Sequence, residues 1–193
     1  MKNSVLTTLA TAALLLFASC GSRNGSGSAE SANAPQAASG MEVDDLLSDA
    51  ENLTGKTVTV EGVCTHACKH GATKIFLMGS DDTQVIRIEA ASLGSFDTKC
   101  VNSVVRVDGI LREQRIDEDY LRKWEARLAA STAPEHGEGE GGCATEKNAR
   151  QETATTAEGR IADFRTRIAA REAECGKAYL SFYYVEATGY EIL

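Results

Sequence analysis

The stretch GKTVTVEGVC, from Gly55 to Cys64, decides the fold. Val58, Val60 and Gly62 alternate with Thr57, Thr59 and Glu61. A period of two puts successive side chains on opposite faces of a strand, so this one is predicted to lie with one face on a core and the other in water. Working outward, Lys69-His70-Gly71-Ala72 reads as a turn and KIFLM, Lys74 to Met78, as a second strand. Ser80-Asp81-Asp82-Thr83 is a second turn, and Val85, Ile86 and Ile88 predict a third strand. Val101 to Leu111 carries a fourth, with Val105, Val107 and Gly109 opposite Arg106 and Asp108. The fifth lies far down the chain, from Tyr179 to Leu193. It is rich in aromatic and β-branched residues, with Gly189 as a bend or bulge.

Helical patterns surround these strands. Val43, Leu46, Leu47 and Ala50 stand at i, i+3, i+4 and i+7, one apolar face of a helix over 43–53 that Gly55 stops. Ala90 to Lys99 reads as a short helix or loop. Asp117 is placed to cap a helix over Glu118–Ala130, with Leu121, Trp124 and Leu128 on one stripe. Ser131 to Gly142 (STAPEHGEGEGG) is rich in breakers and reads as a solvated loop carrying His136. Ile161, Phe164, Ile168 and Cys175 mark the stripe of a second helix over about Ala149–Glu174. The two stripes predict an antiparallel α-helical hairpin, about residues 117–176, inserted between strands four and five. Tyr120, Trp124 and Phe164 belong to its core. Residues 144–157, polar and alanine-rich, read as helical overhang or disorder.

The phrasing GKTVTVEGVC…KIFLM…VIRIEA…VVRVDGIL…YLSFYYVEATGYEI resembles the OB-fold of the tRNA-anticodon-like family, over about residues 43–115 and 178–193. The resemblance implies a mainly β (α+β) domain, a five-stranded, partly open Greek-key barrel. The inserted hairpin departs from the minimal pattern at the place where such domains build their ligand face. Fold resemblance by itself carries no ligand.

The N-terminus has the anatomy of a signal peptide: Lys2, an apolar run from Val5 to Phe17, then Ala18-Ser19-Cys20. The run falls short of the ~20 apolar residues that cross a bilayer. Leu16-Phe17-Ala18-Ser19-Cys20 resembles a bacterial lipobox. The resemblance implies cleavage before Cys20, a diacylglyceryl thioether on that sulfur and acylation of the new N-terminus by palmitate-like chains. Each buried CH₂ contributes about 0.8 kcal/mol to such an anchor. Residues 21–40 carry no large apolar side chain and read as a flexible tether. The expected organisation is therefore a signal peptide over 1–19, lipidated Cys20 with a tether to residue 40, and an OB-like domain over 41–193. It is anchored in the cell envelope and faces the periplasm.

With 20 Lys and Arg against 28 Asp and Glu, the formal net charge is -8. The acidity is even along the chain, which argues against a nucleic-acid partner, since that affinity comes from cations on phosphate. The most chemically suggestive cluster is Cys64-Thr65-His66-Ala67-Cys68-Lys69-His70. Thiolate and imidazole suit zinc and copper, so Cys64, His66, Cys68 and His70 are a candidate metal set. A regular strand would put all four on one face but spread them over roughly 20 Å, so the set requires the chain to fold over near Cys68. The same cysteines also read as small core residues, as partners in a disulfide involving Cys64, Cys68 or Cys100, or as redox thiols. Cys143 and Cys175 bracket the second helix and can pair only if 144–157 folds back. Tyr183 and Tyr190, on the last strand, are a candidate ligand or partner face. No catalytic motif with persuasive context occurs. The expected function is a non-enzymatic, lipid-anchored binding module for an envelope protein or small molecule. The alternative is a periplasmic zinc- or copper-binding protein.

Overall fold

The computed structural model describes residues 40–69, 71–130 and 143–193. The signal segment, Cys20, the tether as far as residue 39, His70 and the 131–142 loop with His136 lie outside the described residues. The described chain runs β1 (Met41–Glu42), α1 (Val43–Ser48), α2 (Ala50–Leu53), β2 (Thr57–Ala67), β3 (Lys74–Met78), β4 (Val85–Glu89), two 3-10 turns (Ala91–Leu93 and Thr98–Cys100) and β5 (Val104–Ile116). It continues with α3 (Glu118–Ala130), α4 (Ala144–Ala149), α5 (Ala157–Cys175) and β6 (Leu180–Ile192). Five strands close on themselves in the order β2-β3-β4-β6-β5, with β5 returning to β2. The short β1 adds to β2 in parallel at Val60 and Glu61. All barrel pairings are antiparallel except β4 with β6.

The alternation in β2 has the expected result. Val58, Val60 and Cys64 enter a core with Ile75, Leu77, Ile86, Ile88, Val105, Val107, Leu111 and Val185, to which the preceding helices add Val43, Leu46 and Ala50. Burying a side chain of this size contributes about 1.5–3 kcal/mol, so the alternating face fixes the register of the sheet. β2 pairs with β5 along Thr57–Val63 and with β3 from Val63 onward. Beyond Ile110, β5 has no β2 partner and pairs with β6, from Leu111↔Val185 to Ile116↔Leu180; β4 still borders β6 at Val185 and Tyr184, so the ladder is two-stranded from Glu113↔Tyr183 onward. That two-stranded extension carries a second core of Ile116, Leu121, Trp124, Ile161, Phe164, Ile168 and Leu180, which brings α3 and α5 onto it. A two-stranded ribbon is marginal alone, so these helices are a condition of its existence.

The helix ends follow side-chain chemistry. Asp117 accepts the Tyr120 backbone N–H at 2.8 Å at the start of α3. Thr156 accepts the Gly159 N–H at 3.0 Å at the start of α5, and Gly176 ends α5 with φ 74°. One expectation needs correction. The second helix does not run unbroken from Ala149, because α4 ends there and α5 starts at Ala157. Arg150 and Glu152 are buried between them, Gln151 takes φ 54°, and the threonine-rich stretch to Thr156 supplies the cap that restarts the helix. Residues 144–157 are thus neither overhang nor disordered but a folded segment against the sheet.

The last strand bulges, one residue before the expected Gly189. Asp108 faces Gly189 and Gly109 faces Ala187, which leaves Thr188 without a partner. The approach is close: a Cβ on Gly109 would stand 2.4 Å from the Glu186 carbonyl oxygen and 2.5 Å from Val185 Cγ1. Gly109→Ala is expected to lower unfolding free energy by about 2–3 kcal/mol through overpacking. Gly189→Ala, which meets nothing within 4 Å, is expected to be nearly neutral. Urea denaturation of the two variants side by side checks this; equal midpoints would contradict the close approach.

Candidate functional site

The Cys64–His70 segment is divided by a bulge. Cys64 pairs with Leu77 and His66 with Phe76, so Thr65 is the extra residue. Cys64 therefore points into the barrel core, while the His66 ring sits 5.9 Å from that of Phe76. The chain does fold over after Ala67: Ala72 N–H donates to the Cys68 carbonyl at 3.0 Å, and Gly71 and Ala72 take positive φ. His70 lies outside the described residues. Among the described residues no three Cys, His, Asp or Glu side chains converge in metal-binding geometry. What His66 does meet is Cys143, a residue the sequence reading left outside that set, with Sγ 3.4 Å from Nε2.

Cys64, Cys100, Cys143 and Cys175 are free thiols. Cys64 and Cys100 are both fully buried in the barrel core. Burial, and after it the neighbouring Cys100, pushes the Cys64 thiol from 9.0 up to about 11. A thiol so placed is a packing group, poorly suited to ligate or attack. Cys175 is exposed at the end of α5. Tyr190 packs against the core, with its ring 5.1 Å from Phe96 and its hydroxyl oxygen accepting the Asp97 N–H at 3.0 Å. Tyr183 is half-buried and lines the cleft described next.

That cleft has a volume of about 330 Å³. One wall is the sheet, with Phe76, Arg87 and Phe182 among its residues; the other is α4, the turn after it and α5. The segment that makes the second wall is held by buried charge. Glu146 of α4 accepts from Arg87 Nη1 at 2.7 Å and from Arg150 Nη2 at 3.1 Å, with Lys74 Nζ 3.7 Å away. The same Arg150 nitrogen donates to Gln114 of β5 at 2.9 Å. Behind it the fully buried pair Arg160–Glu152 joins the turn to α5. Arg167 donates to the carbonyl oxygens of Arg150 and Gln151 at 3.0 and 3.5 Å.

Aromatic rings complete the arrangement. Arg87 lies 4.7 Å over Tyr184, while Arg150 and Arg167 each lie 5.9 Å from the Phe182 centroid. Arg171 lies 5.5 Å over Tyr179. Such contacts hold a guanidinium plane flat on apolar surface while its N–H groups still point outward. Four arginines thus line the cleft with one carboxylate, Glu146, in a chain whose net charge is -8. Sequence reasoning missed this site, although a signal was present. Arg160, Arg167 and Arg171 share the helical face of Ile161, Phe164 and Ile168, and Glu146 and Arg150 stand at i, i+4.

No protein-family model matches the chain, and no curated protein matches it significantly. The site therefore rests on its own geometry.

Burial alone would raise the Glu146 carboxyl, but Arg150, Lys74 and Arg87 outweigh it and hold the group below its ordinary 4.5. A folded-state value below the unfolded one means that the unfolded chain binds more protons in that window. The resulting stability is complete above about 4.5 and is lost as pH falls through the folded value. Glu146→Gln is expected to cost about 2 kcal/mol near neutral pH, by leaving Arg87 and Arg150 short of a counter-charge. It is also expected to flatten the fall in stability between about pH 5 and pH 3. Urea titrations across that range check both; an unchanged acid slope would place Glu146 outside the network.

Proposed function

We propose that this chain is a non-enzymatic, lipid-anchored binding module of the bacterial cell envelope, with its ligand seat in the cleft between the barrel and the 144–175 segment. The observation that carries the reading is the composition of the cleft: aromatic rings and partly engaged guanidiniums facing a space of about 330 Å³. Small-molecule sites typically occupy about 300–1,000 Å³ and combine apolar walls with a few polar groups that fix orientation. The closed five-strand barrel supports an OB-like domain. α3 and α5 stand between its fourth and fifth strands, and Trp124 approaches Phe164 with ring centroids 6.3 Å apart, which supports an inserted helical hairpin. The lipid anchor rests on the sequence around Cys20.

The test is a ligand screen by thermal shift on the full chain, repeated on Ala149→Trp, which fills the cleft. A ligand at about 100 times its Kd stabilises the native chain by about 2.7 kcal/mol. That gain is expected to vanish in the filled variant. Saturable turnover of any substrate, lost on a cleft substitution, would overturn the non-enzymatic reading. The anchor is tested separately by labelling cells with palmitate. Incorporation and membrane association are expected in the native chain and absent in Cys20→Ser; membrane retention by Cys20→Ser would refute the anchor.

A further inference from the structure

We infer that the cleft selects an organic anion, a carboxylate or phosphate ester joined to an aromatic or apolar body. This rests on the cleft being the ligand seat. Its four arginines are not equally occupied. Arg87 and Arg150 share Glu146 and Gln114, so their charge and geometry are largely spoken for. Arg167 gives its hydrogen bonds to neutral carbonyl oxygens, and its nearest carboxylate, Asp163, stands 3.6 Å off. Arg171 has no ion pair within 4 Å among the described residues; it rests on the Tyr179 ring, with the Glu113 and Glu51 carboxylates near enough to feel its charge. Arg167 and Arg171 are i, i+4 neighbours on α5, a like-charge spacing that disfavours the helix unless something negative lies between them.

The molecule thus holds two guanidiniums one turn apart, neither of them tied up in a close two-point ion pair, lining a cleft in an otherwise acidic protein. A cationic ligand would meet repulsion there. A bare inorganic anion would satisfy the guanidiniums but leave the partly exposed Phe182 and Tyr183 rings facing water. An anion with an apolar body meets both halves: its oxygens take the fork of donors that guanidinium presents, and its body covers the rings.

Four probes decide the ligand class by calorimetry on the full chain at low salt: phenyl phosphate, benzoate, inorganic phosphate and benzyl alcohol. Phenyl phosphate and benzoate are expected to saturate at least tenfold more tightly than the other two, and to weaken as salt rises. Arg171→Gln is expected to lose about tenfold in affinity for the two aromatic anions, with Arg171→Lys recovering part of it. Benzyl alcohol binding as tightly as the anions would overturn the anion preference while leaving the cleft as the ligand seat. Inorganic phosphate binding as tightly as phenyl phosphate would overturn the apolar half. A folded Arg171→Gln that binds undiminished would overturn the role of that cation. Failure of all four probes to bind the native chain would overturn both this inference and the cleft reading. If Arg171→Gln does not fold, the ranking of the four probes on the native chain decides alone.

Discussion

The structure depends on one electrostatic constraint, the compensation of charge buried between the sheet and the 144–160 segment. The Arg160 and Glu152 side chains are each 1 % exposed, and Arg150 and Glu146 are 10 % and 13 % exposed. An ion in such surroundings costs several kcal/mol unless it is paired and hydrogen-bonded. Here the pairs interlock, with Arg87 and Gln114 from the barrel strands, Glu146 and Arg150 from α4 and its turn, and Arg160 from α5. Satisfying any one of them requires the others in place. An apolar contact would let the segment slide; a set of directional charges fixes it in one position.

The same constraint creates the candidate site. Because α4 and its turn are fastened through charges rather than by close apolar packing, a cleft persists between them and the rings of β6. The arginines that fasten the segment also lie on those rings. The guanidiniums divide their work: Arg87 and Arg150 are turned mainly inward to Glu146, whereas Arg167 and Arg171 lie on the Phe182 and Tyr179 rings and line the cleft. Glu152 Oε1 is one of three buried side-chain atoms among the described residues without a hydrogen-bond partner, with Arg87 Nε and Trp124 Nε1. Glu152 Oε1 stands 3.9 Å from Arg150 Nη1, so it is met by charge without a direct hydrogen bond.

The barrel was legible from the sequence because its determinants are local and periodic. Val58 and Val60 alternate with polar neighbours, KIFLM coincides with β3, and Asp117 begins α3 at the expected residue. The candidate site was not legible, for two physical reasons. The bulge at Thr65 breaks strand alternation and moves His66 to the side of Phe76, away from Cys64, and no composition rule marks a single unpaired residue. In the 144–157 segment, charged residues that read as helical overhang or disorder are buried because their partners lie far off in the chain, as Arg87 and Lys74 do from Glu146. Polarity in a sequence reports exposure only where no distant counter-charge exists.

Amide hydrogen exchange across residues 144–160 of the full chain tests most directly whether buried charge fastens this segment. The backbone N–H groups of Lys147, Arg150, Gln151, Glu152 and Arg160 all donate within the fold. If the interlocked charges hold the segment, these amides exchange at rates approaching those of the barrel strands, and Glu146→Gln accelerates them together while β2 and β3 stay protected. Exchange at the rate of an unstructured chain in the native protein, or protection untouched by Glu146→Gln, would contradict it.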